Sequence, residues 1–123
     1  MTSLTHGLAG YAIGKLVESK TSVSPKPNLL TGIATVSALI PDLDYFVSEN
    51  LATHHQHLTH APLTWFVSTG LLWLFGKVLH NNLITTISYG LGIGTISHML
   101  MDTSDIAIGI AWLAPFSWKE YSF

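Results

Sequence analysis

The stretch from Leu83 to Met101, LITTISYGLGIGTISHMLM, does most to decide the fold of this chain. It contains no Asp, Glu, Lys or Arg and approaches the length of about 20 residues that a helix needs to cross a hydrocarbon core of about 30 Å. Gly90, Gly92 and Gly94 lie within it, and such small residues allow helices to pack closely in lipid. A buried helix of a soluble protein has the same pattern, so this stretch alone leaves both alternatives open.

Three other stretches extend the helical prediction. Asn28 to Val47 and Pro62 to Leu79 are nearly as long and apolar, and Thr5 to Val17 is shorter, with apolar residues at helical spacing. The 123 residues are 48% hydrophobic and only 10% charged, well below the roughly 25% charged residues of soluble domains. We therefore predict one all-α domain over residues 1–123, a small bundle of about four mostly membrane-embedded helices.

The charged and sulfur-containing residues narrow the function classes. There is no Arg, and five Lys face seven acidic residues for a net charge of -2, so no basic surface is available for nucleic acid. Cys is absent, so any metal must be held by nitrogen and oxygen. Seven His are many for this length, and four of them fall between His54 and His60.

Segment order predicts that the candidate ligands gather at one end of the bundle. If the helices alternate in direction, the stretches that carry Lys15, Lys20, Lys26 and Lys77 share one side. Cytoplasmic loops are enriched in lysine, so the opposite side, with the His and Asp residues, is predicted to be extracytoplasmic. Lys119 is the exception.

His98 and Asp102 are four residues apart, which places both side chains on one face of a helix, as a shared metal requires. The alternative is a hydrogen-bonded histidine with Asp102 as a helix-end group. An ionisable residue within a membrane helix is costly unless it is paired, which favours a partner or a metal.

Asp42 and Asp44 follow Pro41, which interrupts a helix and frees backbone groups. Two carboxylates at this spacing could converge on one ion, or they could be solvated residues at a helix end. The stretch from His54 to His60 is the strongest local indication of a metal, since imidazole is the commonest ligand. Its alternative is a solvated, pH-responsive loop. His6 is a weaker candidate, and His80 is interpreted as a surface residue.

These motifs, in this order, resemble small prokaryotic inner-membrane proteins of the YdjM type, described as membrane-bound metal-dependent hydrolases. The resemblance spans nearly the whole chain and rests on Thr5-His6, Pro41-Asp42-Leu43-Asp44, His55 through Thr59-His60, and His98 through Asp102, followed by Gly109 and Pro115-Phe116. It implies a hydrolase of the inner membrane with a metal held among His6, Asp42, Asp44, His55, His60, His98 and Asp102.

The chain also departs from the family pattern. Gln56, His57 and Ala61 stand where Arg, Gly and Ser are usual, so a bidentate clamp for an anionic group is missing. A looser similarity to the zinc-dependent phospholipase C and nuclease group implies a phosphoester or lipid-derived substrate.

The leading hypothesis is a hydrolase with one or two divalent ions, Zn²⁺ in first place, and with Asp44 or Asp102 as the base that activates water. Its partners are the lipid bilayer and that substrate. One alternative is a metal-binding membrane protein without catalysis, acting as a sensor, carrier or structural partner. Another is a soluble helical domain with a histidine-rich surface.

Overall fold

A computed structural model describes residues 2–46, 58–104 and 109–122 of the chain. Its four helices are α1 (Ser3–Lys20), α2 (Leu29–Ser37), α3 (Pro62–Val78) and α4 (Asn82–Thr103). Short 3₁₀ turns cover Pro41–Phe46 and Leu58–His60. The described residues form no strand and only one isolated antiparallel bridge, between Ile110 and Tyr121. The all-helical prediction is therefore confirmed.

Helix α2 is much shorter than the stretch from Asn28 to Val47 predicted. It has 9 residues, which gives a length of about 14 Å at about 1.5 Å per residue. Pro41 has no amide proton and disfavours helical geometry in the residue before it, so the chain leaves the helix and starts a 3₁₀ turn at Pro41. This turn contains Asp42 and Asp44.

Within the described residues, α4 alone is long and apolar enough to cross a membrane. It has 22 residues, and half of its most apolar stretch is buried by the rest of the protein. The core helix of a soluble protein can have the same length and composition. A bundle in which most helices are embedded therefore remains a prediction.

Small residues bring α1, α2 and α4 into close contact. A Cβ added at Gly10 of α1 would lie 2.6 Å from the carbonyl oxygen of Ala34, and one added at Gly94 of α4 would clash with the same oxygen. Ala34 of α2 is thus held between two glycines. We call this set the Gly10–Ala34–Gly94 contact.

The Gly10–Ala34–Gly94 contact also determines how far along the helices the functional groups lie. His6 precedes Gly10 by four residues, and Ala38 and His98 follow Ala34 and Gly94 by four residues. Residues four apart lie about one helical turn apart on the same face. His6, Ala38 and His98 consequently meet one turn beyond the contact, at one end of the bundle.

Residues 109–122 pack against this end. Ala111 and Ala114 form a buried cluster with Ala61, which directly precedes α3. The indole Nε1 of Trp112 donates a hydrogen bond of 3.0 Å to the hydroxyl of Thr103, the last residue of α4. The C-terminal segment therefore covers the point where α3 begins and α4 ends.

Candidate metal centre

Helix α4 contributes His98 and Asp102, both of them buried. Because they are four residues apart, the two side chains point from the same face, and Nε2 of His98 lies 3.0 Å from Oδ2 of Asp102. The hydroxyls of Thr95, Ser97 and Thr103 bond to carbonyls of α4 itself. The helix therefore satisfies its own hydroxyls and leaves His98 and Asp102 to face the neighbouring elements.

Helix α1 contributes His6, which is 1% exposed. Its Nε2 lies 3.1 Å from Oδ1 of Asp102, and its ring stacks on that of His98 with centroids 3.9 Å apart. Its Nδ1 is buried with no hydrogen-bond partner in the described part of the chain. His6 and His98 thus flank one carboxylate, Asp102.

The 3₁₀ turn before α3 contributes His60, which is fully buried. Its Nε2 lies 3.3 Å from Nε2 of His98 and 3.9 Å from Oδ2 of Asp102. The turn is held to α3 by a hydrogen bond of 2.7 Å from the indole of Trp65 to the carbonyl of Thr59. His60 completes a cluster of three imidazoles and one carboxylate.

Asp44 lies behind His60. Its Oδ2 accepts a hydrogen bond of 2.6 Å from Nδ1 of His60 and one of 2.5 Å from the hydroxyl of Thr59. Such a carboxylate fixes the orientation and tautomer of a histidine ring. Asp44 therefore acts on the cluster through His60.

Asp42 lies at the rim of the cluster, with 24% of its side chain exposed. Its Oδ1 is 3.6 Å from Nε2 of His98, and its Oδ2 accepts a hydrogen bond of 2.9 Å from the hydroxyl of Ser3. The other carboxylates that contact the imidazoles, Asp44 and Asp102, are buried. Asp42 is therefore the carboxylate of this cluster that solvent reaches.

The hydrogen bonds of His60 and His98 determine where their protons lie. A carbonyl oxygen accepts only, so the contact of 2.7 Å with the carbonyl of Ala38 places a proton on Nδ1 of His98. The contact with Asp44 likewise places a proton on Nδ1 of His60. In the neutral rings, both Nε2 atoms then carry a lone pair and no proton, and they face each other.

A proton shared between these two Nε2 atoms would make one of the rings a cation. Burial lowers the pKa of His60, although the charge and hydrogen bond of Asp44 act in the opposite direction. The neutral form of His60 is therefore favoured. Two facing lone pairs at 3.3 Å are a poor contact unless a positive centre lies between them.

The spacing of the donors fits a divalent cation. Two ligands of a tetrahedral zinc ion with bonds of about 2.0–2.1 Å are separated by about 3.3 Å. The corresponding separations here are 3.3 Å for His60–His98, 3.0 Å for His98–Asp102 and 3.1 Å for His6–Asp102. Among the described residues, two groups have ligand atoms that all lie within 4.8 Å of one another and could hold an ion, one with His6, His98 and Asp102 and the other with Asp42, His60 and His98.

Of the seven ligands predicted from the sequence, the structure brings His6, Asp42, His60, His98 and Asp102 together and places Asp44 against His60. His55 lies outside the described residues, as do Gln56 and His57. His80 is exposed in the turn between α3 and α4. The sequence prediction missed Ser3, which binds Asp42, and the carbonyl of Ala38, because a backbone acceptor has no signature in residue type.

Fold and cluster together define a class: an all-helical protein with buried imidazoles and carboxylates at one end of its bundle. The family model for the YdjM inner membrane protein matches residues 1–123, and the chain belongs to this family. Membership supports a location in the inner membrane. Neither the curated proteins nor the solved structures gave a significant match.

Proposed function

We propose that the chain is a metal-dependent hydrolase formed by a single helical membrane domain of the inner membrane. The observation that carries this proposal is the pair of facing Nε2 atoms of His60 and His98, 3.3 Å apart beside the carboxylate of Asp102. Three imidazoles and a carboxylate are a donor set that suits Zn²⁺. Family membership adds support for the membrane location.

The geometry favours one ion rather than two. Nδ1 of His98 is bonded to the carbonyl of Ala38, so His98 has a single nitrogen, Nε2, to offer. Both groups that could hold an ion include His98, and one nitrogen lone pair binds one ion. We assign Nε2 of His6, Nε2 of His60, Nε2 of His98 and the carboxylate of Asp102 as its ligands. His55 stays a prediction.

A bound divalent ion would supply a Lewis acid that polarises the scissile bond and lowers the pKa of bound water towards about 7. Asp42 is the group that we propose as the base. It is partly exposed, its Oδ1 faces the cluster, and the hydroxyl of Ser3 holds its Oδ2. Oδ1 would accept the proton of the attacking water and return it to the leaving oxygen.

This assignment changes the roles predicted for Asp44 and Asp102. Asp44 binds Nδ1 of His60 and would hold that ring in place, and Asp102 lies between two imidazoles as a ligand. Neither is as accessible to water as Asp42, because both are buried.

The proposed substrate is a phosphoester or a lipid-derived ester at the extracytoplasmic membrane surface. Large apolar side chains next to the cluster in sequence are exposed, namely Leu4, Leu43, Tyr45 and Leu58. An exposed apolar rim around a polar site is suited to a membrane surface. The lysines at the opposite helix ends favour a cytoplasmic position for that end.

Metal analysis of the detergent-purified chain tests the proposal. Wild type is expected to hold roughly one ion per chain. The variants His60→Ala and Asp102→Ala should lose it, while His80→Ala, at an exposed histidine of the α3–α4 turn, should keep it. Asp42→Asn should keep the ion and lose hydrolysis of bis(p-nitrophenyl) phosphate. Wild type purified without chelator at a stoichiometry near zero would overturn the proposal.

The second candidate function is a metal-binding membrane protein without catalysis. The observation that favours it is the absence of Arg from the whole chain, which leaves no guanidinium to clamp an anionic substrate. It requires bound metal with no turnover of phosphodiester, phospholipid or ester substrates by the zinc-loaded wild type.

A further inference from the structure

Three apolar grooves run along the described helices, with cavity volumes of about 590, 520 and 420 Å³. The second of these lies between α1 and the region of α2. Its walls include Ser3, Leu4, Gly7, Leu8, Tyr11 and Leu39. We call it the α1–α2 groove.

The α1–α2 groove is joined to the histidine cluster by direct contacts. Ser3 lines the groove, and its hydroxyl donates a hydrogen bond of 2.9 Å to Oδ2 of Asp42. Oδ1 of the same carboxylate is 3.6 Å from Nε2 of His98. A molecule in the groove would therefore have one end beside Asp42, the carboxylate of the cluster that is open to solvent.

The larger groove lacks this connection. It lies between α3 and α4 and includes Gly70, Phe66 and Leu100. Leu100 is two residues from both His98 and Asp102, which turns it by about 200° around α4 at 3.6 residues per turn. The α3–α4 groove is thus on the far side of α4 from the cluster, and its greater volume gives it no access to the ligands.

The walls of the α1–α2 groove favour a hydrocarbon chain as its occupant. Leu4, Leu8 and Tyr11 are 74%, 59% and 51% exposed, and their spacing of three and four residues places them on one face of α1. From Ser3 to Tyr11 the groove follows α1 for about 12 Å away from the cluster, at about 1.5 Å per residue. In an inner-membrane protein, such a face meets acyl chains.

We propose that the α1–α2 groove binds one acyl chain of a phospholipid, which places the lipid's phosphodiester beside Asp42. The identity of this lipid as substrate rests on the proposed hydrolase function. Hydrolysis would add the hydroxyl of water to phosphorus and its proton to the leaving oxygen, with one phosphorus–oxygen bond formed and one broken. Substrate class would then be selected by the groove, in a chain that has no arginine for the headgroup.

Substitutions that fill the α1–α2 groove, or make its wall polar, test this inference. Gly7→Leu projects a side chain into the α1–α2 groove, where an added Cβ makes only an ordinary contact of 3.5 Å with Leu39. Gly70→Leu is the matched control, since a Cβ there meets nothing within 4 Å and the side chain enters the α3–α4 groove. Leu8→Gln is a second test variant, because it makes an exposed groove wall polar with little change in helix propensity.

The probe is phosphatidylcholine with a photoreactive group on one acyl chain, added in trace amounts to detergent micelles that contain the purified chain. Adducts mapped by mass spectrometry should fall on residues 4–11 and Leu39. Gly7→Leu and Leu8→Gln should lower their yield at least about tenfold, and Gly70→Leu should not. Adducts spread evenly over all helices, or lost in Gly70→Leu alone, would overturn the inference.

Kinetics separate this inference from the proposed function. Gly7→Leu should lower kcat/KM for long-chain phosphatidylcholine at least about tenfold and leave hydrolysis of bis(p-nitrophenyl) phosphate unchanged. Equal loss of both activities would count against the groove. If wild type hydrolyses neither compound but still gives adducts in the groove, the hydrolase proposal is wrong and binding of an acyl chain is upheld.

Discussion

The two ends of the helical bundle each hold a carboxylate against a neighbouring helix, but the groups around them differ in kind. At one end, Glu18 accepts hydrogen bonds from the backbone amide and the hydroxyl of Thr31. At the other, Asp102 lies between His6 and His98, and the facing Nε2 atoms of His60 and His98 offer lone pairs. Oε2 of Glu18 thus accepts from an amide and a hydroxyl, whereas Asp102 is flanked by imidazoles, whose nitrogens can either carry a proton or bind a cation.

This difference is the one that the proposed metal site requires. The hydrogen bonds from Thr31 to Oε2 stabilise the charge of Glu18. Imidazole nitrogens that face one another beside a carboxylate can share a cation, and we propose that a metal ion fills this role at Asp102. We therefore expect added metal to stabilise the Asp102 end of the bundle and to have no effect at the Glu18 end.

The largest expected effect is stabilisation by metal. Zinc at about a thousand times its dissociation constant should raise the free energy of unfolding by about 4 kcal/mol, because the ion binds the folded site. Thermal unfolding in detergent with zinc and with chelator measures it. Glu18→Gln should keep the whole shift, and Asp102→Ala should lose it. An equal shift in both variants would mean that zinc binds elsewhere.

A smaller effect is expected at Asp44, which contacts the site through His60. Asp44→Asn removes the charge that orients Nδ1 of His60 and should weaken metal affinity about 10- to 100-fold. Competition with a chromophoric chelator measures the affinity. Asp42→Asn is the control, and it should change affinity less, since Oδ1 of Asp42 is 3.6 Å from Nε2 of His98 and the side chain is partly exposed. A larger loss in Asp42→Asn would make Asp42 a ligand.

The smallest expected effect is the pH dependence of the Glu18 end, which lies outside the candidate membrane span α4. Burial raises the pKa of Glu18, but the hydrogen bonds from Thr31 outweigh it and hold the pKa below its ordinary value. A lowered pKa gives stability that is present above the unfolded value of about 4.3 and is lost as pH falls through the folded pKa.

Wild type and Glu18→Gln in chelator should therefore differ by about 1 kcal/mol at pH 7 and at pH 5. The difference should disappear below about pH 4, as measured by thermal unfolding at each pH. Both proteins contain the same histidine cluster, so its contribution to the free energy of unfolding cancels in the comparison. A difference that disappears between pH 7 and pH 5 would contradict the assignment.

At the cluster end of the bundle, the sequence predicted some features better than others. The pair His98 and Asp102 follows from helical spacing, and its meeting with His6 and His60 follows from helices that alternate in direction. The predicted length of α2 was wrong, because the apolar stretch continues past Ser37 whereas the helix ends there and a 3₁₀ turn starts at Pro41. The pattern of apolar residues does not indicate where the backbone hydrogen bonds of a helix end.

The roles within the cluster were less predictable than its members. Asp42 and Asp44 are two residues apart and look equivalent in sequence, yet one faces the rim and the other binds His60. Their difference arises from the 3₁₀ turn and from Ser3 and Thr59, which contact them from other elements. Only the three-dimensional arrangement separates the proposed proton acceptor, Asp42, from the proposed positioning residue, Asp44.

The Gly10–Ala34–Gly94 contact also affects the entropy of ion binding at the proposed site. The backbones of the three helices touch at this contact without intervening side chains. A shift of one helix along another would create clashes that no change of side-chain rotamer could relieve, so the helices keep one registration. His6 on α1 and His98 on α4, one turn away, are consequently held in position, as the proposed metal site requires. For the ligands on α1 and α4, the ordering entropy would be lost when the bundle folds rather than when an ion binds to the proposed site.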